Sequence, residues 1–310
     1  MQEKQQRIVA IVGPTAVGKT DLSIALAKRF NGEIISGDSM QVYRGMDIGT
    51  AKITPAEMQD VPHHLLDIID PGESYNVVRF QAMAKTAIEE ITARQRLPFL
   101  VGGTGLYVNS LLYDYHFSGK TDRSYRDSLE ALPAEALYAK LMAIRPDLQG
   151  TIKKNDRFRI IRALEIIKTT GEEFVHDFDM PNNYESPYKL CLIGLNMDRQ
   201  RLYDRINHRV DRMLDTGLLA ELEILLRKGY NEKIQALQAI GYKELIAYLH
   251  GFCSMEEAVD LLKKNTRHFA KRQITWFKRD PNIRWFNVDT MSPEELFEAS
   301  SAYIKESLYK

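Results

Sequence analysis

The segment Gly13-Pro14-Thr15-Ala16-Val17-Gly18-Lys19-Thr20 is a full G-x-x-x-x-G-K-T match, and the chemistry of that pattern is the holding of a polyphosphate. Glycines let successive backbone amides turn inward, and the N-terminus of a following helix adds partial positive charge. Lys19 supplies a full charge to phosphate oxygens, and the Thr20 hydroxyl is a candidate magnesium ligand. Asp38, in Gly37-Asp38-Ser39, is the second candidate. A carboxylate opposite a phosphate cradle can act as a general base, as a magnesium ligand, or as a cap for its own loop, since Gly-Asp-Ser is also ordinary turn chemistry. Thr104, in Gly102-Gly103-Thr104-Gly105, can donate a hydrogen bond at the same rim or simply hold its turn.

A P-loop nucleotide hydrolase adds an aspartate to its magnesium site. Here the apolar run Leu97-Pro98-Phe99-Leu100-Val101 ends on glycines instead. Asp67, after Leu65-Leu66, is a weak substitute and reads equally as a solvated turn residue. A motor or switch ATPase is therefore disfavoured, while a small-molecule kinase or another diphosphate-using transferase stays open.

These residues need a scaffold, and the surrounding pattern supplies one. Ile8 to Val12 is an unbroken β-branched and alanine run, as expected of a strand buried on both faces. A helix follows over Asp21 to Phe30, a strand over Glu33 to Ser36, a helix over about Phe80 to Arg94, and a strand over Leu97 to Val101. Alternating strands and helices predict an α/β fold, a parallel sheet of P-loop NTPase type covered by helices. All three polar turns then fall at the carboxyl ends of strands, where such sheets place ligands. From Tyr115 to about Tyr188 only helical, charge-rich segments occur, and Tyr188 to Asn196 is again a buried-strand pattern. The expected organisation is a catalytic core over 1–114 and 188–310, interrupted by a mainly helical insertion over 115–187, with helices continuing to about Arg279.

Composition sets limits on partners. With 44% hydrophobic and 27% charged residues, the chain has the make-up of a globular protein. It has no run of about 18 apolar residues that would span a membrane, and the opening Met-Gln-Glu-Lys-Gln-Gln-Arg has no apolar signal region. A cytoplasmic location is expected. Cys191 and Cys253 form no C-x-x-C pair, which leaves no thiolate zinc site to argue from.

The 42 basic and 42 acidic side chains cancel, so any nucleic acid must be met by local patches. Two stand out. Lys153-Lys154-Asn155-Asp156-Arg157 leads into Phe158 to Arg162, with Asn155 or Asp156 placed to cap a helix and the lysines beside its N-terminus. A second helix spans about Glu256 to Lys278; at about 100° per residue, Lys264, Arg267, Lys271 and Lys278 share a stripe roughly 60° wide. Val259, Leu262, Phe269, Gln273, Trp276 and Phe277 fall opposite and are expected to pack on the core. Such a stripe is either a solvated face or a surface for phosphates.

With these residues identified, the chain resembles the bacterial tRNA dimethylallyltransferase (tRNA isopentenyltransferase) family. The resemblance rests on GPTAVGKT at 13–20, GDSMQVYRGMDIGTAK at 37–52, PHHLLDI at 62–68, VGGTGLY at 101–107 and KRQITWF at 271–277. It implies transfer of a dimethylallyl group from dimethylallyl diphosphate to N6 of the adenosine 3′-adjacent to the anticodon of a tRNA. By the same resemblance Asp38 is the base, Thr104 contacts the target nucleotide, and Asp38, Ser39, Met40 and Gln41 touch the tRNA. Gly13 to Thr20 hold the diphosphate with Mg²⁺, Lys19 stabilises the leaving group, and Arg209 adds a second diphosphate contact. Lys154, Arg157, Arg162, Lys264, Arg267 and Lys271 are the expected contacts to the anticodon stem-loop. Eukaryotic members often carry a C-terminal zinc finger; paired cysteines and histidines are missing here, so no zinc is expected. A small-molecule kinase and an adenylate isopentenyltransferase remain the alternatives.

Overall fold

The computed structural model describes residues 5–117, 122–170 and 184–310. Two compact units emerge, Met1–Tyr115 with Asn183–Lys310, and His116–Asn182.

In the first unit the chain runs through β1 (Arg7–Val12), α1 (Lys19–Arg29), β2 (Gly32–Ser36), α2 (Pro55–Met58), β3 (His63–His64), α3 (Val77–Ala93), β4 (Leu97–Gly102) and α4 (Gly105–Leu112). The second unit holds α5 (Arg123–Glu130), α6 (Ala134–Ile144) and α7 (Arg157–Thr170). The first unit resumes with β5 (Lys189–Asn196), α8 (Arg199–Asp215), α9 (Leu218–Arg227), α10 (Tyr242–Leu249), α11 (Met255–Phe277), β6 (Arg284–Asn287) and α12 (Pro293–Tyr309).

All six strands join one parallel sheet in the order β3-β2-β4-β1-β5-β6. Successive side chains of a strand point to opposite faces, and β1 shows the result. Ile8, Ala10 and Val12 enter one core with Phe80 and Ile88 of α3; Val9 and Ile11 enter the other with Leu22 and Leu26 of α1 and Ile304 and Leu308 of α12. Burial on both faces explains the unbroken apolar run. The sheet thus has the α/β form expected from the alternating pattern.

Three elements depart from the expected pattern. Strand β3 is only two residues long and carries two histidines, too short for an apolar pattern. His64 Nε2 lies 2.6 Å from the buried carboxylate of Glu33, which Arg94 and Arg96 also engage. Beyond Arg279, where no element was expected, the chain adds edge strand β6 (RWFN) and helix α12, the latter started by Pro293 and a Ser292–Glu295 capping box. Tyr115 and Tyr184 belong to the first unit rather than to the insertion. The Tyr115 carbonyl accepts from Gln81, and the Tyr184 ring meets Tyr113 edge-on at 5.4 Å.

The second unit packs Leu129, Leu137, Leu141, Leu148 and Ile160 into its own core. Asp156 caps α7 by accepting from the Arg159 amide at 3.2 Å.

Candidate active site

The phosphate loop is the turn between the central strand and the first helix. Gly13 has φ +148°, and a side chain there would come within 2.6 Å of the Leu195 carbonyl oxygen of β5, so only glycine fits beside that strand. Gly18 starts α1 in the left-handed region at φ 102° and offers no side-chain cap, leaving the first-turn amides of α1 without a side-chain acceptor. The Lys19 ammonium donates to the carbonyls of Gly13 (2.9 Å) and Pro14 (2.7 Å). Its pKa is lowered to about 7, first by burial and then by Arg209, with Asp38 acting the other way.

The loop is fastened from outside at Thr15. Its amide donates to Gln273 Oε1 of α11 at 2.8 Å, and its hydroxyl accepts from Arg209 of α8 at 3.3 Å. Gln273 Nε2 donates onward to the Gly103 carbonyl at 3.0 Å. One buried amide therefore ties the phosphate loop to the turn bearing Thr104.

Asp38 follows β2 by two residues. Its Oδ1 accepts from the amides of Met40 (2.7 Å) and Gln41 (3.3 Å), while Oδ2 has no hydrogen-bond partner among the described residues. Loop capping and a free basic oxygen thus coexist on one side chain. Burial raises the Asp38 pKa above the usual carboxylate range, against the two amides and Lys19, which lower it.

A cavity of about 690 Å³ joins these parts. Of the expected residues, Thr15, Ala16, Val17, Gly18, Lys19, Thr20, Asp38, Gln41 and Arg209 line it. Gly13, Pro14, Ser39, Met40 and Thr104 flank it without lining it; Thr104 is the N-cap of α4 and makes no side-chain capping bond. The cavity also takes Arg205 and Arg212, which with Arg209 recur along one face of α8. The spacing in RINHRVDR carries that signal. Burial, then Arg205 and Arg212, lower the Arg209 pKa.

Phe269, expected to pack in the core, is only half-buried and reaches the cavity, which Gln273 also lines. Gln273 is indeed buried, but to hold backbone rather than to fill space. Asp67 is paired with Lys52 at 2.5 Å and lies outside the lining.

The expected tRNA contacts divide. Lys264 and Lys271 of α11 are exposed, whereas Arg267 donates to Asn207 at 2.7 Å. In the second unit Lys154 is exposed, with its ammonium 5.8 Å from the Tyr138 ring centre. Arg157 donates to the carbonyls of Glu130 and Leu132 at the end of α5, and Arg162 stands 3.8 Å from the buried Glu165. These two arginines serve the unit's own structure.

Among the described residues no group of three or more His, Cys, Asp or Glu is placed to hold a metal ion. Thr20 is exposed and lines the cavity, so its hydroxyl could hold a magnesium ion brought in with a diphosphate.

A family model described as IPP transferase matches residues 41–280. The chain belongs to the IPP transferase family. The chain is 53% identical over 289 residues to the tRNA dimethylallyltransferase of Halalkalibacterium halodurans, covering 92% of each chain. It is 49% identical over 293 residues to that of Bacillus subtilis, covering 93% of each. Among solved structures, a tRNA isopentenylpyrophosphate transferase from Bacillus halodurans matches with TM-score 0.75, 50% identity and 98% coverage of both chains. A eukaryotic dimethylallyltransferase described as acting on tRNA matches with TM-score 0.79 and 29% identity, over 97% of this chain and 80% of that one. The IPP transferase model begins at Gln41 and so takes in α8 and α11 but not the phosphate loop. No helix among the described residues of this family member is long and apolar enough to cross a membrane.

Proposed function

We propose that this chain is a tRNA dimethylallyltransferase. It moves the dimethylallyl group of dimethylallyl diphosphate to N6 of the adenosine 3′-adjacent to the anticodon and releases diphosphate. The observation that carries the reading is a single cavity with two opposed chemistries. A carboxylate with one free oxygen, Asp38 Oδ2, shares that cavity with the cationic cradle of Lys19, Arg205, Arg209 and Arg212.

The reaction balances on those groups. The N6 lone pair forms a bond to the allylic carbon, the carbon–oxygen bond breaks, and its electron pair leaves with the diphosphate. The N6 proton passes to Asp38. An exocyclic adenine amine is a poor nucleophile, and a positioned base contributes about 10²–10⁴ in rate. Charge growing on the diphosphate is met by the loop amides, Lys19 and Arg209. Magnesium, held at Thr20 with the diphosphate, would add Lewis-acid stabilisation to the leaving group. The target base must leave its stack, which costs a few kcal/mol. Grip on the surrounding RNA by the exposed lysines of α11 and by Lys154 offsets that cost. The apolar side chains of Phe269 and Met213 in the cavity lining suit the prenyl chain.

The test is to incubate the protein and Mg²⁺ with labelled dimethylallyl diphosphate and either unmodified tRNA or AMP. Label entering tRNA alone supports the reading. Label entering AMP instead favours a free-nucleotide isopentenyltransferase, and phosphate transfer from ATP without prenyl transfer favours a kinase. Asp38→Ala is expected to lose transfer while retaining tRNA binding, and normal turnover in that variant would exclude Asp38 as the base.

A further inference from the structure

Asp47, Ile48, Thr50, Ala51 and Lys52 line the same cavity as the phosphate loop, and their loop is held by a residue remote in sequence. Glu221, on α9, accepts from three successive amides of this loop: Oε2 from Asp47 and Ile48, each at 2.8 Å, and Oε1 from Gly49 at 3.0 Å. Successive amides converging on one point make an anion nest, and here a side-chain carboxylate fills it. Tyr242, buried at the start of α10, donates its hydroxyl to the same Oε1 at 2.7 Å. The Tyr242 ring lies directly against Gly49, where an added side chain would come within 2.5 Å of Cζ. The far end of the loop is tied by Lys52, which donates to the Tyr43 carbonyl and Asp47 at 2.7 Å each.

From this loop a short path leads to the reacting carboxylate. Gln41 Nε2 donates to the carbonyls of Thr50 (3.2 Å) and Ala51 (3.3 Å), and Ser36 Oγ donates to Gln41 Oε1 at 3.2 Å. With its side chain fixed at both ends, Gln41 directs its backbone amide at Asp38 Oδ1. That bond, with the one from Met40, decides which Asp38 oxygen stays free.

We propose that Glu221, steadied by Tyr242, is a positioning residue for Asp38, acting through the 47–51 loop and Gln41. The inference rests on the reading of Asp38 as the base. Glu221 lies outside the cavity lining. Its part is to hold the wall from which Gln41 sets the carboxylate, so its loss misplaces the base without removing either binding site. Misplacement of a reacting group by about 1 Å can cost on the order of 100-fold.

The experiment is steady-state prenyl transfer to tRNA by Glu221→Gln, Glu221→Ala and Tyr242→Phe, with thermal melting of each. Glu221→Gln replaces one acceptor oxygen by an amide nitrogen that repels the loop N–H groups. It is expected to lower kcat about 10–100-fold with KM for both substrates changed less than about 2-fold, a loss confined to the transition state. Glu221→Ala should fall further, and Tyr242→Phe, which keeps the ring against Gly49, should lose about 2–5-fold in kcat. A folded Glu221→Gln enzyme with unchanged kcat, or one altered only in KM or melting temperature, overturns the inference. Should Glu221→Gln fail to fold, Tyr242→Phe decides alone: lowered kcat at unchanged KM supports the inference, and unchanged kcat overturns it. A wild-type protein without transfer to tRNA defeats the Asp38 reading and this inference together. An active wild type with an equally active Glu221→Gln defeats this inference only.

Discussion

Lys19 and Asp38 line one cavity with pKa values displaced in opposite senses. Burial pushes the lysine down to about 7 and the aspartate up, so each is moved toward its neutral form. Diphosphate capture needs the ammonium, which is lost as pH rises through the lowered pKa. Proton abstraction needs the carboxylate, which is lost as pH falls through the raised one. The profile of kcat/KM for dimethylallyl diphosphate, which reports the free enzyme, should therefore be bell-shaped. Its alkaline limb should fall near pH 7 and its acid limb above the ordinary carboxylate range. A flat profile between pH 6 and about 9 would contradict the lysine assignment.

The elements meet at Gln273. Helix α11 reaches back across 258 residues to hold the Thr15 amide and across 170 to hold the Gly103 carbonyl, so two turns of the sheet are fastened by one side chain. Gln273→Ala leaves a part-buried donor and a buried acceptor unpaired, the acceptor alone at a cost of about 1–3 kcal/mol. Chemical denaturation should register that loss, and KM for the diphosphate substrate should rise. Gly103→Ala attacks the same joint from the other side, since its methyl would stand 2.2 Å from Gln273 Nε2. The phosphate loop, its strand and its helix were legible in the sequence because a buried parallel strand and a glycine turn leave local patterns. Gln273 was not. Its position at 100° per residue assigned it to the packed face, correctly, yet periodicity says nothing about which polar groups a buried amide will meet. Glu221 escaped for a similar reason, since the amides it serves lie more than 170 residues away, and Tyr242 with it, since its hydroxyl acts through Glu221. Strand β6 escaped because four residues with an exposed arginine carry too little alternation to stand out.

At the scale of the whole chain, 42 positive and 42 negative side chains leave no net field to draw in a polyanion. Recognition of RNA must come from where the charges lie. The exposed lysines of α11 are unpaired among the described ion pairs, whereas Arg157, Arg162 and Arg267 are engaged by protein. The double variant Lys264→Glu/Lys271→Glu should weaken tRNA binding and reduce the slope of log K against log salt by about 2, one phosphate contact for each lysine. Titrations between about 50 and 200 mM salt would read that slope, and an unchanged slope would return the stripe to a merely solvated face.

The strand order carries one more consequence, for biosynthesis. Strand β1 lies between β4 and β5, and the Leu195 carbonyl of β5 is what Gly13 packs against. A ribosome that has released the chain as far as Gly102 has delivered the whole phosphate-loop motif and only one of its two flanking strands. The second neighbour is finished at Asn196, after the entire second unit has been made, and Arg209 and Gln273 come later still. Non-local pairing of this kind forms slowly. The nascent chain therefore carries its most recognisable motif through most of translation without a working phosphate site, and competence to bind the diphosphate arrives only as α11 emerges.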